Sequence, residues 1–90
     1  MNINLDPNRI FITGDQGEIL AEITYPADGE GVVNINRTFV SPVLRGQGVA
    51  GKLMEAAVQQ IRDAGQKCRV TCSYAAEWMQ RHPEWRELLV

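Results

Sequence analysis

The sequence predicts an α+β domain: a three-stranded antiparallel meander, then a helix that crosses back to a parallel strand, then a C-terminal helix. Three observations predict it. Apolar residues alternate with a period of two in short runs before Ser41-Pro42. The period then lengthens to nearly four, as a helix with one buried stripe requires. A β-type run returns at Lys67, ahead of a helical tail.

Each element follows from its residues. Arg9 to Thr13 (RIFIT) is a short strand, ended by the turn signal Gly14-Asp15-Gln16-Gly17. Glu18 to Tyr25 forms the second strand, broken by Pro26 and the polar stretch through Gly31. Val32 to Val40 is the third strand. Alternation puts Val33, Ile35 and Phe39 on one face and Asn34, Asn36 and Thr38 on the other. Pro42 cannot donate to a ladder and closes the meander. Val49, Leu53, Ala57, Ile61 and Ala64, with Met54 and Val58 beside them, then form an apolar stripe about four turns long. Lys52, Glu55, Gln59, Arg62 and Asp63 take the wet side, and Gly65 stops the helix. Lys67 to Ser73 reads as a fourth strand with Cys68, Val70 and Cys72 on one face. Strand, helix, strand implies a right-handed crossover and a parallel pair. Ala75 to His82 reads as the last helix, ended by Pro83, with one further turn over Glu84 to Leu89. Trp78 and Trp85 are expected to anchor this tail to the sheet.

Composition narrows the functional classes. Ninety residues make a single domain, 1–90. With 44% apolar and 22% charged residues the chain can fill a modest core. No apolar run is long enough to span a membrane, and no signal-like segment opens the chain, so a cytoplasmic address and no membrane partner are expected. The net charge is −2 and the basic residues are scattered. A nucleic-acid partner would need a basic stripe. Cys68 and Cys72 on one strand would lie ~13 Å apart, beyond disulfide reach, and read as free thiols. With His82 as the single histidine, no metal site is expected. A monomer or weak dimer is the expected state.

The stretch from Leu44 to Leu53, LRGQGVAGKL, carries the chemistry. Gly46, Gly48 and Gly51 fit G-x-G-x-x-G, and Gly46 through Lys52 fit G-x-x-x-x-G-K. The second pattern fails at Leu53, because magnesium in a P-loop is held by Ser or Thr at that place. The first fails on context: dinucleotide folds begin with a parallel sheet and place an acid about 20 residues on. What survives is an amide-rich helix start, flanked by the cations Arg45 and Lys52, that suits a phosphate. One glycine would serve to turn the chain; three are costly to order and point to close approach by a ligand.

A third spacing is also present: Arg45-x-x-Gly48-x-Ala50. Preceded by a meander and followed by a parallel strand, it resembles the GNAT acetyltransferase superfamily, most closely its short single-domain branch. The resemblance runs from about Arg9 to Leu89. It is carried by Ala21-Glu22-Ile23, Thr38-x-Val40, Leu44-Arg45-Gly46-Gln47-Gly48-Val49 with Lys52-Leu53, Cys72-Ser73-Tyr74, and His82-Pro83-Glu84.

The resemblance implies acetyl transfer from acetyl-coenzyme A, as co-substrate, to an amine. The backbone of Arg45, Gly46, Gln47, Gly48, Val49, Ala50 and Gly51 would hold the pyrophosphate, with Arg45 and Lys52 as local cations. Phe39 and Val40 would bind the pantetheine arm as an added strand does. Cys72 is the first candidate for a chemical role, as acid toward the departing thiolate or as nucleophile; an ordinary core thiol is the alternative. Tyr74 is a second candidate acid, or a packing residue. Glu22 could act as base toward the amine, or be a solvated carboxylate. His82 is read as a cap. The short branch commonly carries His where this chain has Arg37, so Arg37 could favour an acidic acceptor or simply face solvent. The acceptor is a protein, peptide or metabolite amine. A coenzyme A-binding or sensing module with little turnover is the rival reading, and a domain binding only protein partners is a third.

Overall fold

The computed structural model describes residues 2–90. The chain order is β1 (Asn2–Asp6), β2 (Arg9–Thr13), β3 (Ile19–Thr24), β4 (Val32–Ile35), β5 (Arg37–Val40), α1 (Val49–Asp63), β6 (Lys67–Val70) and α2 (Ser73–Arg81), with 3-10 turns at Pro42–Leu44 and Pro83–Leu88. The expected meander is present as β2-β3-β5, extended by β1, which pairs antiparallel with β2. The expected parallel pair is β4 with β6.

β1 is an addition to the sequence reading. It is joined to β2 through Pro7 and Asn8, and Asn8 takes a left-handed φ of 66° that its short side chain tolerates. The Asn8 side chain also donates to the Tyr25 carbonyl at 2.8 Å, tying the turn to the end of β3.

The predicted third strand is two strands. Asn36 donates its amide to the Thr24 carbonyl while Arg37 is the register partner of the same Thr24. Two residues opposite one make a β-bulge, which bends the strand and re-aims every side chain beyond it. Before the bulge the strand alternates as expected, with Val33 and Ile35 buried. After it the faces exchange: Thr38 pairs with Ile23 and Val40 with Ala21 on the core side, whereas Phe39 pairs with Glu22 on the other. Phe39 therefore does not share a face with Val33 and Ile35.

The bulge also divides the sheet. β4 serves β6, and β5 serves β3. Beyond Ile35 and Val70 the parallel pair ends, and the second edge of β5 is left without a strand.

Helix α1 covers the core face of β2, β3 and β5. Its Leu53, Met54, Ala57, Val58 and Ile61 are buried against Ile10, Ile12, Ala21 and Ile23. Burial of such a side chain stabilises by about 1.5–3 kcal/mol. Gly65, at φ 70°, closes the helix as its position predicts. Tyr25 is also buried, and its hydroxyl hydrogen-bonds Gln60 on α1.

The fourth strand is shorter than its sequence implies. It stops at Val70, and the amides of Thr71 and Cys72 both reach the Ile35 carbonyl. Cys72 thus leaves the strand face of Cys68 and becomes the N-cap of α2. The tail packs as two anchors. Trp78 is buried and stacks on His82 at a ring distance of 3.8 Å. Trp85 is half-buried with the Arg62 guanidinium 5.1 Å over its ring, so it holds the tail to α1 rather than to the sheet.

Candidate functional site

The N-terminus of α1 points at open space beside β5. Gly46 and Gly48 have φ of 83° and 72°, in the left-handed region where a side chain is strained. Gly48 is the N-cap, no side chain caps the helix, and its first turn holds no acid. The amides of the first turn therefore face the site unopposed, with the positive end of the helix dipole behind them. Gly51 differs from the other two. It lies within the helix, and a Cβ there would meet only the Trp78 indole nitrogen and the Tyr74 hydroxyl, each at 3.8 Å.

A cavity of about 240 Å³ lies over this helix start. It is lined by Val40, Leu44, Arg45, Gly46, Gly48, Val49, Ala50, Gly51 and Tyr74. Of the predicted loop residues, Gln47 and Lys52 fall outside it. They line a second, more apolar groove of about 250 Å³ between β1 and α1, with Ile3, Ile10, Ile12, Val49, Leu53 and Ala56. Lys52 therefore stands on the other flank of the helix from Tyr74, and Arg45 is the cation at the loop cavity itself.

The free edge of β5 leads from this cavity to Cys72. Ser41 donates its amide to the Leu20 carbonyl at 2.7 Å. In an antiparallel ladder bonding then alternates, so the Phe39 backbone faces β3 while the amides and carbonyls of Thr38 and Val40 face the open edge. Val40 also lines the loop cavity. Phe39 instead contributes a side chain on the opposite face, with the Arg37 guanidinium 5.6 Å over its ring.

Cys72 lies where β5 and β6 part. Its Sγ is 3.6 Å from the Thr38 hydroxyl, which the bulge has turned to this side. Partial burial pushes the thiol up. The neighbouring Ala75 amide, the Thr38 hydroxyl, and the Tyr74 and Thr38 amides outweigh that burial and bring it below its ordinary value. A sulfur surrounded by donors at a helix start favours the thiolate. Cys68 sits fully buried, and desolvation pushes its thiol up to about 11. The two cysteines therefore differ in setting: Cys68 is a fully buried core thiol and Cys72 a partly buried one.

Tyr74, two residues on, places its hydroxyl in the wall of the loop cavity. Burial raises its pKa, with the nearby Arg81 acting in the opposite direction, so the phenol keeps its proton at neutral pH. Tyr74 and Cys72 thus flank the line from the helix start to the strand edge.

Glu22 is not part of this line. Its carboxylate lies on the open face of the sheet, opposite Phe39 and Phe11. It is held by Arg9 at 2.5 Å and Arg37 at 3.2 Å. Arg37 faces solvent, one of its two expected places, while its guanidinium shares Glu22 with Arg9 in a cluster of three charges. His82 donates from Nδ1 to the Trp78 carbonyl, 2.8 Å away, at the end of α2, as a capping residue does. Among the described residues, no three His, Cys, Asp or Glu side chains gather where a metal could bind. No helix is long and apolar enough to cross a membrane.

Sequence reasoning missed Thr38 as a site residue. It was read on the wrong face, since nothing in Asn34 to Val40 interrupts the alternation.

Known proteins share this fold. Residues 9–88 match the family model of the GCN5-related N-acetyl-transferase. A GCN5-like protein of Staphylococcus aureus is 32% identical, with a TM-score of 0.81 over 99% of this chain and 87% of that one. A GNAT-family acetyltransferase of Streptococcus pneumoniae is 17% identical over 84% of this chain and 56% of its own, with a TM-score of 0.57. A nourseothricin acetyltransferase is 20% identical over 86% of this chain and 47% of its own, also at 0.57. These last two share the fold, and the chain spans about half their length. No curated protein matches the chain significantly.

Proposed function

Because the chain belongs to the GCN5-related N-acetyltransferase family, and so is an acyltransferase, we propose that it takes acetyl from acetyl-coenzyme A and delivers it to an amine by way of Cys72. The observation that carries this reading is the alignment of three features: the uncapped start of α1, the free edge of β5, and the Cys72 sulfur where that edge meets α2.

The residues fit the coenzyme. The first-turn amides of α1 and the loop from Arg45 to Gly48 make an anion site, with Arg45 beside it for the pyrophosphate. The Thr38 carbonyl and the Val40 amide and carbonyl offer a hydrogen-bonding edge to an amide-containing arm, as a sheet edge does to an added strand. Acetyl-coenzyme A supplies an activated acyl carbon and a thiolate leaving group.

The chain supplies the rest. Cys72, as thiolate, attacks the acyl carbon; a new S–C bond forms on Cys72 while the original thioester bond breaks. Tyr74 stands in the cavity wall with its proton, which it can give to the departing thiolate. The acetyl group on Cys72 then meets the amine. The C–N bond forms, the Cys72 sulfur leaves as thiolate, and the amine's surplus proton returns through solvent to the Tyr74 phenolate, restoring both groups to their starting state. Holding the thiol and thioester in one slot makes the first attack effectively unimolecular.

Binding is tested by thermal unfolding against acetyl-coenzyme A. At 100 times its Kd, the ligand stabilises by ~2.7 kcal/mol. An unchanged midpoint at millimolar coenzyme would overturn the reading.

A further inference from the structure

Thr38 has no place in the loop, and its side chain hydrogen-bonds no described group except Cys72. Three features converge on it. The bulge at Asn36 and Arg37 turns its side chain from the open face to the core face. Its backbone lies at the one stretch of β5 with no neighbouring strand. Its hydroxyl stands 3.6 Å from Sγ, and its own amide faces the same sulfur. A β-branched side chain on a strand is stiff at χ1, so this hydroxyl is held rather than swinging.

We propose that Thr38 is a positioning residue: hydroxyl and amide together hold the Cys72 sulfur at the free edge of β5, facing the slot where a thioester would lie. The proposal deepens the assignment of Cys72 made above and rests on it for its catalytic meaning. The bulge thereby acquires a chemical purpose. Without it, Thr38 would share the open face with Asn34 and Asn36, and the core-side position next to Cys72 would fall to Phe39, which has no hydroxyl.

The charged and titratable surroundings of Cys72 are few. From its own element, Tyr74 is the titratable side chain whose charge interacts with it. From β5, Arg37 points to the opposite face and is bound to Glu22. The buried part of α1 is apolar. The hydroxyl and amides are therefore the groups that set this thiol.

The test needs no coenzyme, so it holds or fails independently of acetyl transfer. Iodoacetamide alkylation of Cys72 is followed against pH in the unsubstituted protein and in Thr38→Val and Thr38→Ser. Loss of one hydrogen bond to the sulfur in Thr38→Val should lower the thiolate fraction at neutral pH about three- to tenfold. Thr38→Ser should stay within about twofold of the parent, since its hydroxyl can bond the sulfur in the same way. Thr38→Val alkylating with the parent's pH profile would overturn the proposal. A second readout requires no substitution: the Thr38 amide resonance of the parent should titrate with the same midpoint as Cys72 alkylation. A Thr38 amide indifferent to that titration would equally overturn it.

Discussion

Glu22 Oε2 lies 2.5 Å from Arg9 Nε, across the β2–β3 pair and on the face of the sheet away from Cys72. Arg37 closes on the other carboxylate oxygen at 3.2 Å. A carboxylate bonded by two guanidiniums is engaged as an acceptor, and it lies across the sheet from Cys72. Glu22→Gln should therefore destabilise by about 1 kcal/mol or less, since both arginines are partly solvated. It should leave the rate of acetyl loading onto Cys72 within about twofold of the parent. Urea unfolding and single-turnover mass spectrometry measure the two. A large loss of rate at unchanged stability would return Glu22 to the chemistry.

The glycines of the loop are separable. Gly48 at φ 72° should resist a side chain, and Gly48→Ala should cost about 1–2 kcal/mol. Gly51 has helical geometry, and an added Cβ would sit at ordinary contact distance, 3.8 Å, from Trp78 and Tyr74. Gly51→Ala should stabilise by about 0.5–1 kcal/mol, as glycine replacement in a helix does. Thermal unfolding of the two variants should move in opposite directions.

Cys68 imposes an alkaline limit. Its pKa is about 11 in the folded chain, against an ordinary value of 9.0. Between those values the unfolded state releases a proton that the folded state retains, so the unfolded state binds fewer protons. Stability must then fall as pH rises, approaching about 1.4 kcal/mol per pH unit within the window. Buried Tyr25, also raised by desolvation from 10.0, acts in the same direction further up. Below pH 8 neither group contributes a slope. Cys68→Ala should flatten the decline between pH 9 and 10 even though it lowers stability overall. Denaturant midpoints across that range decide it, and a parent protein with no decline would refute the burial argument.

Elements with strong local patterns were legible in the sequence. The stripe of α1 and its Gly65 stop are where the 3.6 period and the C-terminal glycine put them. The two central hairpin strands and the parallel pair follow from alternation and from connection handedness. β1 was legible but not read: Asn2-Ile3-Asn4-Leu5-Asp6 alternates strictly and runs into the turn sequence Asp6-Pro7-Asn8, although Ile3 and Leu5 end up exposed. The bulge left no local trace at all. Asn34-Ile35-Asn36-Arg37-Thr38-Phe39-Val40 alternates without a break, and what interrupts it is tertiary: β4 must serve β6 while β5 serves β3. Alternation alone consequently puts the rest of that strand, Thr38 and Phe39, on the wrong face. The glycine-rich, uncapped helix start with a cation beside it could be read from the residues of the loop. Its division into two flanks, with Lys52 and Gln47 on one and Tyr74 on the other, depends on where α2 packs, which no spacing in the sequence encodes.

The central assignment is a location: coenzyme over the start of α1, its arm along β5, its thioester at Cys72. Amide chemical-shift mapping during titration with acetyl-coenzyme A tests it most directly. The largest shifts are expected at Arg45 to Gly51, at Thr38 and Val40, and at Cys72 to Ala75, with β1 and Lys67 to Arg69 unmoved. Shifts centred instead on the groove between Ile3, Ile12 and Leu53, or no shifts at saturating coenzyme, would contradict it.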